Sequence, residues 1–209
     1  MSESMLVIGV LASGRGTNLQ SIFNAIQSGA LKARVGVVIS DKRDAEVLVK
    51  GKAHQVPSVF LDPRAYPDRE AYDRAVVEGL KAHQVEFVIL AGFMRLITKP
   101  FIDAFQNKII NIHPSLLPAF PGLHAHRQAL AHGVKVSGCT VHFVDPDVDH
   151  GPIVAQVSVP VLEGDTEASL SDRILAEEHR LLPRIIQYYA DGKIRCEGRK
   201  VFVEDGLSI

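Results

Sequence analysis

Four short apolar runs, with helical patterns between them, constrain this chain more than any other feature. Met5–Leu11, Val35–Ser40, Ser58–Leu61 and Val85–Ala91 are rich in Val, Ile and Leu and mostly do not alternate with polar residues. A strand with one wet face alternates, whereas a strand of a parallel sheet, covered on both faces, reads as a continuous apolar run. Between the first two runs, Leu19, Ile22, Phe23 and Ile26 fall at i, i+3, i+4 and i+7, which is one apolar helix face, and Gly29 follows where a helix would stop. Before Val85, Pro67-Asp68-Arg69-Glu70 reads as a helix start, with Tyr72, Val76 and Leu80 on one face. The order is β-α-β-α-β-α-β, a doubly wound α/β unit.

The second half has a different pattern. Ile109–Ile112 reads as a further short strand, and Val136–Val144 and Ile153–Val161 as longer strands joined by the acidic loop Asp145-Pro146-Asp147-Val148-Asp149-His150-Gly151. A long helix is expected from about Thr166, kinked or split at Pro183. Lys193–Val203 reads as a small hairpin turning at Glu197-Gly198. The expected fold is α/β, a doubly wound and mostly parallel sheet, with a Rossmann-like N-terminal half and a C-terminal half continuing the same sheet. We expect one domain over 1–209, with a phosphate-binding half at 1–100 and a folate-binding, catalytic half at 101–209, the ligand names resting on the resemblance below.

Composition narrows the function. The chain has 209 residues, 46 % hydrophobic and 22 % charged, close to globular averages. Lys and Arg number 23 against 24 Asp and Glu, a net charge of −1, which disfavours a polyphosphate backbone as partner. Trp is absent and aromatics are 6 %, so a stacking platform for single strands is not expected. Cys139 and Cys196 cannot make a disulfide framework or a Cys-rich zinc site. The apolar run from Met5 to Ala12 is far short of the ~20 residues of a spanning helix. It also lacks a basic leader, Glu3 being the charge before it. No membrane partner and a cytoplasmic location are expected.

The first strand ends in Ala12-Ser13-Gly14-Arg15-Gly16-Thr17-Asn18, and a helix begins at once. Glycines let a ligand approach the backbone, and the free amides of a helix start suit a phosphate monoester. Leu19 stands where a dinucleotide fingerprint needs a third glycine, and no Gly-Lys-Ser/Thr follows, so neither the dinucleotide nor the nucleoside-triphosphate loop is matched. Asp41 is placed like an acid that reads an NAD ribose, but we read it as capping a loop before a helix over Lys42–Lys50.

Ile109-Ile110-Asn111-Ile112-His113-Pro114 is the most informative stretch. Residues two apart on a strand share a face, so Asn111 and His113 project together while Ile110 and Ile112 point into the core. An amide beside an imidazole suits oxyanion stabilisation and proton movement. The acidic loop offers Asp145, Asp147 or Asp149 as a carboxylate that would raise the pKa of His113 and favour the imidazolium. His113, His124, His126, His132, His142 and His150 crowd this region. His124 and His126, taken as lying on one helix, would face different sides and not form a metal pair, and no metal is expected.

With those residues in hand, the chain resembles the phosphoribosylglycinamide formyltransferases (glycinamide ribonucleotide transformylases) over nearly its whole length. The resemblance rests on Ser13-Gly14-Arg15-Gly16-Thr17-Asn18-Leu19-Gln20, Ala91-Gly92-Phe93-Met94-Arg95 and Asn111-Ile112-His113-Pro114-Ser115-Leu116-Leu117-Pro118. Pro121-Gly122-Leu123-His124, His142-Phe143-Val144 and Asp149-His150-Gly151-Pro152 continue it. It implies formyl transfer from 10-formyltetrahydrofolate, as co-substrate, to the amine of glycinamide ribonucleotide, in purine biosynthesis. It implies Asn111, His113 and Asp149 as the catalytic trio. Gly16, Thr17 and Asn18 would hold the substrate phosphate, and Leu175, Ala176, Glu177 and Glu178 would meet the ribonucleotide. Arg69, Met94, Arg95, Leu96, Ile97 and Asn111 would contact folate, as would Asp145, Pro146, Asp147, Val148 and Asp149. In the implied mechanism, Asn111 and protonated His113 stabilise a tetrahedral oxyanion and Asp149 supports the imidazolium. A monomer or homodimer with small-molecule substrates is expected.

Related formyl-handling enzymes share the trio. Methionyl-tRNA formyltransferase resembles this core but carries a further C-terminal domain and needs a charge suited to tRNA. Formyltetrahydrofolate deformylase, a hydrolase, is the nearest alternative and normally adds an N-terminal domain, not expected here because strand one starts at Met5. A non-catalytic nucleotide-binding module and an NAD-dependent oxidoreductase are the readings from other classes. Leu19 argues against the second.

Overall fold

The first apolar run becomes β1 (Leu6–Leu11), buried along almost its whole length. The computed structural model describes residues 5–204, so Glu3 lies outside the described residues. Helix α1 (Thr17–Gln27) follows, burying Leu19, Ile22 and Phe23, and the chain leaves it through Gly29 at φ 77°. Strand β2 (Ala33–Ser40) runs parallel to β1. Helix α2 (Glu46–Ala53) starts later than the expected Lys42, because residues 41–45 turn before it, with Ala45 N–H donating to the Lys42 carbonyl at 3.4 Å. Strand β3 (Ser58–Phe60) pairs parallel with β2. Helix α3 (Arg69–Ala82) is capped by Asp68, whose side chain accepts from the Ala71 amide at 2.7 Å, and it buries Tyr72, Val76 and Leu80 as the pattern predicts. Strand β4 (Phe87–Leu90) is wholly buried and parallel to β1. A short helix α4 (Lys99–Ala104) packs on α3.

Strand β5 (Ile109–His113) is followed by α5 (Ala125–His132), β6 (Val136–Phe143), β7 (Ile153–Pro160) and α6 (Glu167–Ala190). A hairpin of β8 (Ile194–Glu197) and β9 (Lys200–Val203) ends the described chain. The division between two compact units falls inside β5, after Ile110. Strands are ordered β3-β2-β1-β4-β5-β6-β7 in a mostly parallel sheet, with β7 antiparallel to β6. In the second unit α6 packs on β6, β7 and α5, and β9 packs on β7.

Three further expectations need correction. Helix α6 is not split at Pro183 but continues through it over 24 residues. Pro183 lacks an amide to donate, yet it is buried, and Leu181, Leu182, Ile185 and Ile186 bury the same stretch of helix, so packing holds the turn that propensity alone would break. The hairpin turns at Gly198-Arg199, one residue later than expected, because Glu197 pairs with Lys200. Gly198 has φ 59°, the positive value required at the first central position of a type II′ turn. His124 is not on α5 but precedes it, at φ 59°, so it and His126 do not share a helix. Among the described residues no helix is long and apolar enough to cross a membrane.

Candidate active site

In the first unit the glycine loop is fastened at both ends. Ala12 N–H donates to the Ile39 carbonyl at 3.2 Å and Ser13 N–H to the Gly92 carbonyl at 2.9 Å. The Ser13 hydroxyl donates to Asp41 Oδ1 at 2.6 Å and accepts from the Met94 amide at 2.9 Å. Asp41 thus fastens the glycine loop itself, a role that neighbouring residues in sequence do not reveal. At the other side of the loop, Val47 N–H donates to the Gly14 carbonyl at 3.1 Å.

Gly16 caps α1 at φ 68°, and a Cβ there would stand 2.7 Å from Val47 Cγ2 and 2.9 Å from the Val47 backbone Cα. Close approach to α2 and a left-handed backbone both require glycine at this position. No side chain caps α1 and no acid lies in its first turn, so the first-turn amides keep their affinity for an anion. Beside the loop, Ser13, Gly14, Arg15, Lys42, Arg43 and Glu46 line a cavity of about 380 Å³. Lys42 and Arg43 reach this lining because the turn that carries them precedes α2 and is not part of it. Thr17 is half-buried and Asn18 buried.

The 92–97 segment is held by its backbone while exposing apolar side chains. Arg69, the first residue of α3, donates from Nη2 to the Leu96 carbonyl at 3.0 Å. The Arg95 guanidinium lies 4.9 Å from the centroid of the Tyr72 ring, and Asp73 accepts from Thr98 N–H and Oγ1 at 2.6 and 2.7 Å. Met94 and Leu96 are 61 % and 53 % exposed, unusual for such residues on a fixed segment, whereas Ile97 is buried.

In the second unit, β5 places Asn111 and His113 on one side and buries Ile110 and Ile112, as alternation requires. The acidic loop between β6 and β7 brings Asp149 to them. His113 Nδ1 lies 3.2 Å from Asp149 Oδ2, and Asn111 Nδ2 donates to Asp149 Oδ1 at 3.3 Å. The Gly122 amide donates to Asp149 Oδ2 at 2.7 Å. Asp149 itself has φ 48°, a conformation open to a short polar side chain. The remaining ring nitrogen of His113, Nε2, lies 2.8 Å from the Phe120 carbonyl oxygen. Asn111, His113 and Asp149, singled out from sequence, therefore form one cluster.

A fourth member is His142, which the sequence offers both in the crowd of histidines and in His142-Phe143-Val144. Its Nδ1 faces the Phe143 carbonyl at 2.8 Å, so that nitrogen carries the hydrogen. Its Nε2 is then the acceptor for Asn111 Nδ2 at 3.1 Å. The available signal was Thr140-x-His142, which puts His142 on one face of a strand beside another buried polar residue. Gly122 and Phe120 take part through backbone atoms, which residue type does not disclose.

Electrostatics modify one expectation. Burial holds the His113 imidazole below the ordinary histidine value, outweighing the upward pull of Asp149 and of the Phe120 carbonyl. The carboxylate offsets part of the desolvation without reversing it. Burial would also raise Asp149, but the neighbouring His142 and His113 rings and the Gly122 amide hold it below the usual carboxylate range. Asp149 is thus an anion, next to a buried ring whose two nitrogens both face acceptors. That arrangement is fully satisfied only when the ring carries both protons.

The remaining expected site residues lie on two elements of this unit. Asp145, Pro146, Asp147 and Val148 lie in the loop that carries Asp149, with Val148 exposed. Leu175, Ala176, Glu177 and Glu178 form one turn of α6, where Glu178 is buried and Glu177 pairs with Arg180 at 3.2 Å.

Residues 6–186 match the formyl transferase family. The chain is 40 % identical over 197 residues to phosphoribosylglycinamide formyltransferase of Escherichia coli K12, covering 94 % of this chain and 93 % of that protein. It is 43 % identical to the trifunctional purine biosynthetic protein adenosine-3 of Drosophila pseudoobscura pseudoobscura, covering 93 % of this chain but 14 % of that much longer protein. Among solved structures, glycinamide ribonucleotide transformylase 1 from Symbiobacterium toebii superposes with a TM-score of 0.95 at 56 % identity, covering 96 % of this chain and 95 % of that one. A formyltetrahydrofolate deformylase from Pseudomonas syringae pv. tomato superposes with a TM-score of 0.88 at 26 % identity, over 97 % of this chain and 67 % of that one. The chain belongs to the formyl transferase family.

Proposed function

We propose that this protein is a phosphoribosylglycinamide formyltransferase, moving the formyl group of 10-formyltetrahydrofolate to the amine of glycinamide ribonucleotide in purine biosynthesis. The observation that carries the reading is the Asn111–His113–Asp149 cluster, in a chain 40 % identical over nearly its full length to a protein of that activity.

The amine attacks the formyl carbon, a C–N bond forms, and the carbonyl oxygen becomes an oxyanion. The bond to the folate nitrogen then breaks, the amine having lost a proton and the folate nitrogen having gained one. Asn111 Nδ2 and His113 Nε2 are the donors for the oxyanion. In the free protein their hydrogens face His142, Asp149 and the Phe120 carbonyl, and the oxyanion's charge outcompetes the neutral acceptors His142 and Phe120. Asp149 holds the His113 ring through Nδ1 and balances its charge as it takes a second proton. The first-turn amides of α1 at Gly16, Thr17 and Asn18 take the substrate phosphate, with Arg15, Lys42 and Arg43 adding positive potential. Leu175, Ala176, Glu177 and Glu178 meet the ribonucleotide. Arg69, Met94, Arg95, Leu96 and Ile97, with Asn111 and the loop Asp145-Pro146-Asp147-Val148-Asp149, receive the folate, whose flat aminobenzoyl ring suits exposed Met94, Leu96 and Val148. The protein works in the cytoplasm on small molecules, as a monomer or homodimer.

The test follows folate deformylation with purified protein and 10-formyltetrahydrofolate, with and without glycinamide ribonucleotide. Turnover that requires the ribonucleotide supports the proposal. Turnover indifferent to it makes water the acceptor and the protein a deformylase.

A further inference from the structure

The acidic loop carries Asp149, and a side chain from outside the loop grips the residue next to it. Arg199 stands in the turn of the β8–β9 hairpin and donates from Nη2 to the His150 carbonyl at 2.7 Å. Its Nη1 lies 3.2 and 3.3 Å from the two ring nitrogens of His150. The His150 ring is in turn fixed to the loop's start, with Nδ1 2.8 Å from Asp145 Oδ2 and 3.8 Å from Asp147 Oδ2. With the Nδ1 hydrogen given to Asp145, Nε2 is the ring nitrogen open to Arg199. Asp145 also accepts the Asp147 amide at 3.1 Å. One chain of polar contacts therefore runs from Arg199 through His150 to both ends of the 145–151 loop.

The hairpin that carries Arg199 is itself anchored. Strand β9 packs on β7, Glu204 N–H donates to the Lys193 carbonyl at 3.0 Å, and Arg195 lies over the Phe202 ring at 4.6 Å while pairing with Glu197. At the far side of His150, Gly151 packs against the Phe143 carbonyl so closely that a Cβ there would overlap its oxygen. The loop is short, acidic and exposed at Pro146, Asp147 and Val148, and its negative side chains repel one another. A cation bound to its backbone on a braced hairpin offsets that repulsion and steadies the exposed 146–148 stretch, while Asp149 keeps its own bonds to Gly122, Asn111 and His113.

We infer that Arg199 is a positioning residue for formyl transfer, holding the 145–151 loop in its folate-receiving form by gripping His150. This rests on the proposed function, because the readout is the folate co-substrate. Arg199 and His150 are both exposed, so the grip is modest, in the range of surface charge contacts.

The experiment compares Arg199→Ala, Arg199→Lys and His150→Ala with the parent protein. Arg199→Ala is expected to raise KM for 10-formyltetrahydrofolate about fivefold, with kcat within twofold and KM for the ribonucleotide unchanged. Amide hydrogens of 145–151 should exchange about fivefold faster without any ligand. Arg199→Lys keeps one donor for the His150 carbonyl and should recover most of the loss. His150→Ala keeps the carbonyl and should show a smaller effect than Arg199→Ala. Unchanged loop exchange in Arg199→Ala, an equal rise in both KM values, or no recovery with lysine would overturn the inference. Hydrogen exchange needs no turnover, so it tests the grip even where the parent protein fails to transfer formyl.

Discussion

Replacing Gly16 by alanine tests whether the phosphate loop is built on a close approach between α1 and α2. The new Cβ would stand 2.7, 2.8 and 2.9 Å from atoms of Val47, one of them backbone Cα, at a residue with φ 68°. Holding alanine in the left-handed region costs about 1–2 kcal/mol. Relieving the overlap adds about 1–3 kcal/mol, because Val47 is buried and its backbone cannot swing aside like the end of a long side chain. A total near 3 kcal/mol lowers Tm by roughly 6–12 °C in a chain of this size. The same shift moves the α1 amides, so KM for glycinamide ribonucleotide rises as well. Gly14→Ala is the internal control, since its Cβ meets nothing within 4 Å. It should melt within about 1 kcal/mol of the parent. Calorimetry on the three proteins decides the matter. A Gly16→Ala protein that melts with the parent, or a Gly14→Ala protein that melts lower, would refute the packing argument.

Asn111→Ala should lower kcat by about 10²–10³ with little change in ribonucleotide affinity, read by steady-state kinetics and calorimetric titration, because it removes an oxyanion donor. Gly151→Ala should destabilise by about 1–3 kcal/mol and raise KM for the folate, since its Cβ overlaps the Phe143 carbonyl and must push the Asp149 loop. Stability should fall twice on acidification. Burial depresses His113, His126 and His179, so unfolded rings take protons first, and stability drops as pH falls through about 6.5. Asp149 and Asp165 are held below the ordinary carboxylate range, the second chiefly by Arg173, so a further drop follows below about pH 4. Melting curves from pH 8 to 3 check both; a Tm flat between pH 7.5 and 5.5 would remove the histidine part.

Much of this was legible in the residues because the parallel strands are buried on both faces and write continuous apolar runs. The β5 alternation likewise announced that Asn111 and His113 share a side. What sequence misjudged has a common cause in tertiary contact. Pro183 breaks an isolated helix but not one whose flanking leucines and isoleucines are packed in a core. Helix α2 starts only at Glu46 because residues 41–45 form a turn, where Asp41 accepts from the Ser13 hydroxyl of the glycine loop. Asp41 found its partner in Ser13, 28 positions away. The pKa of His113 was legible only in part, because a neighbouring carboxylate is visible in sequence while the desolvation that outweighs it is not. Backbone partners such as the Gly122 amide and the Phe120 carbonyl carry no residue signature at all.

We propose that formyl passes from folate to the ribonucleotide amine at the Asn111–His113–Asp149 cluster. The most direct measurement is the ratio of formylated ribonucleotide formed to 10-formyltetrahydrofolate consumed, in the parent protein and in His113→Ala and Asp149→Ala variants shown to be folded. The account predicts a ratio of one in the parent and loss of both processes in the variants, with ribonucleotide binding retained. A ratio near zero, or variants that transfer formyl at the parental rate, would contradict it.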